Sequence, residues 1–185
     1  NMDFIKNYVQ KLIFNLCGEE EIAYNYLLKY IANMVQYPNR QCEQSIVMLS
    51  DKEGVGKDRL TYMIEKMLDN RDYTLKTSDP ELVFGHFNSD AQRKIMIQIN
   101  EQSNKSALEY LETFKDRTTA EYFLINPKGQ IPYVVKNCMR LFIASNNKKA
   151  VVLSESDRRF VVIKSTNLLV QDHTFFKEFM RGVDD

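Results

Sequence analysis

The stretch SIVMLSDKEGVGKDRLTYMIEKML, Ser45 to Leu68, reads as a strand, a turn and a helix. SIVML is a short apolar run, and the residues from Lys57 onward are amphipathic at helical spacing. Between them, DKEGVGKD nearly matches the phosphate-binding pattern G-x-x-x-x-G-K-[ST]. Gly54 and Gly56 let the backbone turn its N–H groups onto phosphate oxygens. Lys57 adds a positive charge, and the helix start favours an anion. Two positions depart from the pattern. Asp51 stands where the first glycine belongs; that residue opens the loop without close phosphate contact. Asp58 stands where a hydroxyl would ligate a metal. A carboxylate can also bind a hard cation, but it adds negative charge beside the phosphates. An isolated GVGK can be a plain surface turn. Its place between an apolar strand and an amphipathic helix favours a phosphate loop.

Working outward, RKIMIQINE (93–101) is a second strong strand, and it ends in Asn100-Glu101. In triphosphatases with such loops an acid pair closes this strand. One acid holds the magnesium shell and a glutamate polarises the attacking water. Here Glu101 fills the second role and Asn100 replaces the first acid; the plain alternative is a strand running into a polar loop. MRLFIASNN (139–147) and RRFVVIKS (158–165) are the third and fourth strands. The third ends in Ser145-Asn146-Asn147, whose amide could orient water. The fourth opens with Arg158-Arg159, a candidate arginine finger.

Helical spacing covers 3–16 and 20–36, with Gly18 as a stop and Pro38 closing the second segment. Ser78 or Asp79 could cap a short helix, 104–115 is helical, and 171–181 packs Phe175, Phe176 and Phe179. EYFLINPKGQIPYVV alternates, turns at Asn126-Pro127-Lys128-Gly129 and alternates again, as a hairpin does. Buried strands interspersed with helices predict an α/β fold with a mostly parallel sheet. The expected division is a helical lead-in, 1–44, and a core, 45–185, within one compact unit.

The 185 residues are 44% hydrophobic and 27% charged with zero formal net charge. A nucleic-acid site must then be a local basic patch. No apolar run reaches the roughly 18 residues of a membrane span, and the start NMDFIKNYVQ does not resemble a signal peptide. Asn1 ahead of Met2 reads as a tag remnant. Cys17, Cys42 and Cys138 are odd in number and widely spaced, which points to reduced thiols in a cytoplasmic setting. His86 and His173 have no metal-ligand spacing.

Five segments in order resemble the superfamily 3 helicase domain of viral, phage and plasmid primase-helicases, a P-loop branch of the AAA+ ATPases. They are YLLKYIANMVQYP, VMLSDKEGVGKDRL, DPELVFGHFNS with IMIQINE, the stretch FKDRTTAEYFLINPKGQIPYVVKNCMRLFIASNN, and SDRRFVVI. The resemblance implies an ATP-dependent helicase motor in viral or mobile-element DNA replication, with ATP and Mg2+ as cofactors. It implies a hexameric homo-oligomer acting on single-stranded nucleic acid, DNA by preference, and no membrane partner. By position it assigns the cofactor loop to Gly54, Val55, Gly56, Lys57 and Asp58. Magnesium contacts fall to Asp58 and Asn100. Catalytic roles fall to Glu101 as glutamate, Asn146 as sensor, and Arg159 with its neighbour Arg158 as finger. Lys128 takes the tip of a pre-sensor hairpin that grips a single strand by its phosphates. Two other readings stay open: a small-molecule phosphotransferase on the same loop, and a ring-forming binding module that has lost hydrolysis through the changes at Asp58 and Asn100.

Overall fold

The computed structural model describes residues 2–69, 71–100, 104–146 and 157–185, the side chains of 104–109 and 111 excepted. The chain enters through α1 (Met2–Phe4), a π-helical turn at Ile5–Gln10 and α2 (Lys11–Leu16), which run on continuously. Gly18, at φ 70°, supplies the left-handed turn that ends this segment. Next come α3 (Glu21–Gln36), β1 (Ser45–Leu49), α4 (Lys57–Met67), β2 (Thr74–Thr77) and α5 (Glu81–Phe84). The N-cap of this short helix is Pro80, and Asp79, one of the two residues expected to cap it, stands one position earlier and accepts from the Glu81 N–H (3.0 Å). The chain continues through β3 (Met96–Asn100), α6 (Asn104–Thr119), β4 (Tyr122–Ile125), β5 (Tyr133–Lys136), β6 (Arg140–Ser145), β7 (Phe160–Lys164) and α7 (His173–Asp184).

Five strands form one sheet in the order β2-β3-β6-β1-β7, every pairing parallel. The mostly parallel α/β fold expected from the sequence is therefore observed. Side chains alternate between faces along each strand. Ile46, Met48 and Phe142 enter the core under the lead-in helices, α4 and α7, among Leu12, Leu27, Leu60 and Phe179. Val47, Ile97, Ile99 and Ile143 enter the opposite core with Phe84, Phe114 and Phe123. Burial on both faces is why these strands read as unbroken apolar runs.

One strand escaped the sequence reading. β2 is TLKT, four residues on the sheet edge, half-buried and without an apolar run. The strand ending at Asn100 is thus the third of the sheet in chain order, not the second. Helix ends also move: α6 runs to Thr119 rather than 115, and α7 covers His173–Asp184 rather than 171–181.

The predicted hairpin is present as β4–β5, antiparallel, from Tyr122↔Lys136 to Ile125↔Tyr133. Asn88, from GHFN, holds its turn. It donates to the Leu124 carbonyl (2.9 Å) and accepts from the Asn126 N–H (2.8 Å). At the other end of the sheet Arg140, fully buried, donates to Asn33 Oδ1 (3.1 Å) and the Tyr37 carbonyl (2.9 Å), tying the end of α3 to the start of β6. All three cysteines are free thiols; burial pushes Cys17 up to about 12. Among the described residues, no helix is long and apolar enough to cross a membrane.

Candidate functional site

Because the five strands are parallel, the C-terminal ends of β1, β3 and β6 lie on one edge of the sheet. A cavity of about 770 Å3 opens there, lined by Gly54 to Arg59, Lys76, Gln98, Asn100, Ser145 and Asn146. The tight approach of the loop rests on its glycines. Gly54 and Gly56 hold φ of 75° and 102°. A Cβ on Gly56 would stand 2.5 Å from Leu12 and 2.9 Å from Phe176, so the lead-in and α7 press directly on the loop. Val55 is buried, its carbonyl accepting from Asn15 (3.4 Å), and the Gly54 carbonyl accepts from the Gln171 N–H (3.4 Å).

Lys57 is the first residue of α4 and folds back along the edge. It donates to Asn146 Oδ1 at 2.5 Å, to the Ser145 carbonyl at 3.3 Å, and to Ser50 Oγ. Ser50 Oγ also lies 2.7 Å from Asn146 Oδ1. Burial lowers the Lys57 ammonium below the usual lysine range, against the pull of Asp58 and Glu53. The structure thus brings together Lys57 and Asn146, and it adds Ser50, which the sequence reading missed. Ser50 directly follows β1 and is buried; a small hydroxyl ending a strand beside a glycine loop was the available signal.

Asp58 and Asn100, the pair the resemblance assigns to magnesium, are joined through Gln98. Gln98 Nε2 donates to Asp58 Oδ1 (2.7 Å) and to Asn100 Oδ1 (2.6 Å), while its Oε1 accepts from Thr61. Lys76 pairs with Asp58 at 2.5 Å. Burial would raise the Asp58 carboxyl, but hydrogen bonds from Lys76 and Gln98, with both lysines nearby, bring it below the usual carboxylate range. Asp51, in the place of the first loop glycine, pairs with Lys164 at the end of β7 (3.1 Å). Tyr62, Gln171, His173 and Phe176 also line the cavity, and the sequence reading placed none of them at the site.

Four further expected positions are not among the described residues lining this cavity. Glu101 lies outside the described residues. Lys128 is exposed at the hairpin turn next to Gly129, whose φ is 74°. Arg158 and Arg159 precede β7 at the opposite edge of the sheet, where the Arg159 carbonyl accepts from the Ser45 N–H (2.8 Å). About 15 Å of strand separates that point from the loop after β1. Arg159 donates through Nε and Nη2 to both oxygens of Asp157, at 3.1 and 3.3 Å, whereas Arg158 is exposed.

A parallel five-stranded α/β sheet with a glycine loop at the carboxyl edge of its strands defines the class of protein. A protein family described as a family of unknown function (DUF5906) matches residues 48–159, more than half of the chain, and the chain belongs to it. A DNA primase-polymerase of Nitratiruptor phage NrS-1 is 28% identical over 173 residues, 92% of this chain and 24% of the phage protein. The chain therefore spans about a quarter of that relative's length. The fold is shared with the apo C-terminal region of NrS-1, at a TM-score of 0.80 and 22% identity, covering 98% of this chain and 44% of that one. It is shared more distantly with the JCV helicase bound to an aromatic acetamide compound, at a TM-score of 0.55 and 8% identity, covering 97% of this chain and 51% of that one.

Proposed function

We propose that this chain is a P-loop ATPase of the AAA+, superfamily 3 type, the motor of a ring that moves along single-stranded DNA during viral or mobile-element replication. One observation carries the reading: Gly54, Gly56, Lys57, Asn100 and Asn146 converge on one cavity at the carboxyl edge of the sheet. The similarity to a phage primase-polymerase and to a viral helicase fold supports the setting.

In this reading the backbone of Gly54 to Gly56 and the Lys57 ammonium take the β- and γ-phosphates of ATP. Phosphate competes for Lys57 with Ser50 and Asn146. Once Lys57 turns to phosphate, the Asn146 amide is released to orient the attacking water, and Glu101 polarises that water as general base. An arginine from the next subunit stabilises the charge of the transition state. Arg158 or Arg159 must act in trans, since both stand across the sheet from their own loop. Lys128 contacts the phosphates of the strand in the channel.

Magnesium would accompany ATP, but the described side chains do not make a direct seat for it. Asp58 and Asn100 share the Gln98 amide and Asp58 is paired with Lys76. Among the described residues no group of three or more acidic, histidine or cysteine side chains could hold an ion. That arrangement favours, as the second reading, a ring that binds nucleotide and DNA without hydrolysing. An ATPase assay with and without single-stranded DNA separates the possibilities. DNA-stimulated hydrolysis supports the motor, tight binding without turnover supports the scaffold, and phosphate transfer to a small acceptor supports a phosphotransferase.

A further inference from the structure

The parallel register of β2 and β3 sets Lys76 directly beside Gln98. Neighbours in register share a face of the sheet, so both side chains stand under the loop that follows β1. Lys76 pairs with Asp58, and Gln98, fully buried, fixes the same Asp58 oxygen and the amide oxygen of Asn100. Lys76 and Lys57 line one cavity and flank Asp58. Relative to a loop with a hydroxyl after its lysine and an acid at the end of the third strand, this site has one carboxylate moved and one cation added.

We propose that Lys76 is a second phosphate-binding cation, and that with Lys57 it allows this site to bind a nucleoside triphosphate without a divalent metal. An ammonium has three donors, and one salt bridge to Asp58 leaves others for phosphate oxygens. Asp58 holds the lysine at the cavity mouth, and Gln98 holds Asp58. Lys76 is therefore a binding residue, while Asp58 and Gln98 position it. The inference rests on the assignment of the Gly54–Lys57 loop to nucleotide, and it concerns binding, not turnover.

The experiment is calorimetric titration of ATP into the unmodified protein and into Lys76→Gln, each with excess Mg2+ and with EDTA. The unmodified protein should bind ATP with affinities that differ less than about threefold between the two conditions. Lys76→Gln should lose roughly tenfold or more in EDTA and regain most of it with Mg2+, since Asp58 is then free to meet the ion. Unmodified protein that binds only with Mg2+ overturns the proposal, as does a Lys76→Gln variant equal to it in EDTA. A thermal melt of Lys76→Gln close to that of the parent excludes misfolding as the cause; a collapsed melt directs the same titrations to Lys76→Arg, which should retain the metal-free binding. Absence of ATP binding in every condition, or binding untouched by Lys57→Ala, overturns the loop assignment itself and the inference with it.

Discussion

The glycine loop after β1 and the hairpin β4–β5 are two turns of similar sequence character and opposite surroundings. Gly56 and Gly129 both adopt positive φ. Around Gly56 a Cβ would meet Leu12 and Phe176 below 3.0 Å, whereas around Gly129 nothing lies within 4 Å. Lys57 is half-buried and held by Ser50, Ser145 and Asn146, whereas Lys128 is exposed. The outer face of the hairpin is apolar and open: Leu124 is 50% exposed, Val134 65% and Ile131 88%. The first turn is finished by its own chain, as suits a ligand with fixed geometry. The second is unfinished, as suits a contact made only with a partner.

The largest effect should come from Lys57→Ala. It removes a cation from a half-buried site, so hydrolysis should vanish and calorimetry should show ATP affinity down by more than tenfold. Unchanged affinity would sink the phosphate-loop assignment. Glu101→Gln keeps the shape of the side chain but not its basicity. ATP binding should persist while single-turnover rates fall by roughly two orders of magnitude. Surviving turnover would move the base elsewhere.

The third test addresses the arginines directly. Arg158→Ala and Arg159→Ala should each leave ATP affinity nearly intact. The finger variant should cut hydrolysis by about 100-fold or more, and the exposed Arg158 is now the stronger candidate because Arg159 is committed to Asp157. Mixing that variant with Lys57→Ala should restore some activity at interfaces carrying one intact site. No recovery in mixtures shown to co-assemble would argue for a self-contained enzyme. Lys128→Ala should spare basal hydrolysis. It should weaken single-strand binding several-fold and lower the salt slope by about one unit, read by anisotropy titration across salt concentrations.

The smallest effect sharpens the comparison most directly. Gly56→Ala combines a left-handed backbone with two side-chain clashes and should cost about 3 kcal/mol in a denaturant melt. Gly129→Ala meets only the backbone strain, about 1 kcal/mol. Equal losses would mean that the packing of Leu12 and Phe176 on the loop is not what distinguishes the two turns.

Local pattern carried much of this far. The run SIVML, the alternation of EYFLI and YVVK, and the helical spacing of 3–16 and 20–36 report burial that each segment needs whatever surrounds it, so the strands, hairpin and helices were legible. Glycines before a lysine between strand and helix likewise report a backbone requirement, while the roles expected of Glu101, Asn146 and the arginine pair rested on the family resemblance. β2 was not legible, because a polar four-residue edge strand is stabilised by pairing with β3 and leaves no periodic signature of its own. Nor were the partners of Asp58: the sequence shows an acid after Lys57, but only the register Lys76↔Gln98 brings a lysine and an amide to it. Ser50, 95 residues or more from Ser145 and Asn146, meets Asn146 for the same reason. Parallel strands paired far apart in sequence set their ends side by side, and polar contacts across those ends depend on register, which short-range pattern does not encode. Ser45 to Leu68 by itself determined a glycine turn between a buried strand and a helix; the pairing of the strands decided which side chains share its cavity, and their parallel direction set the arginine pair at the opposite edge of the sheet.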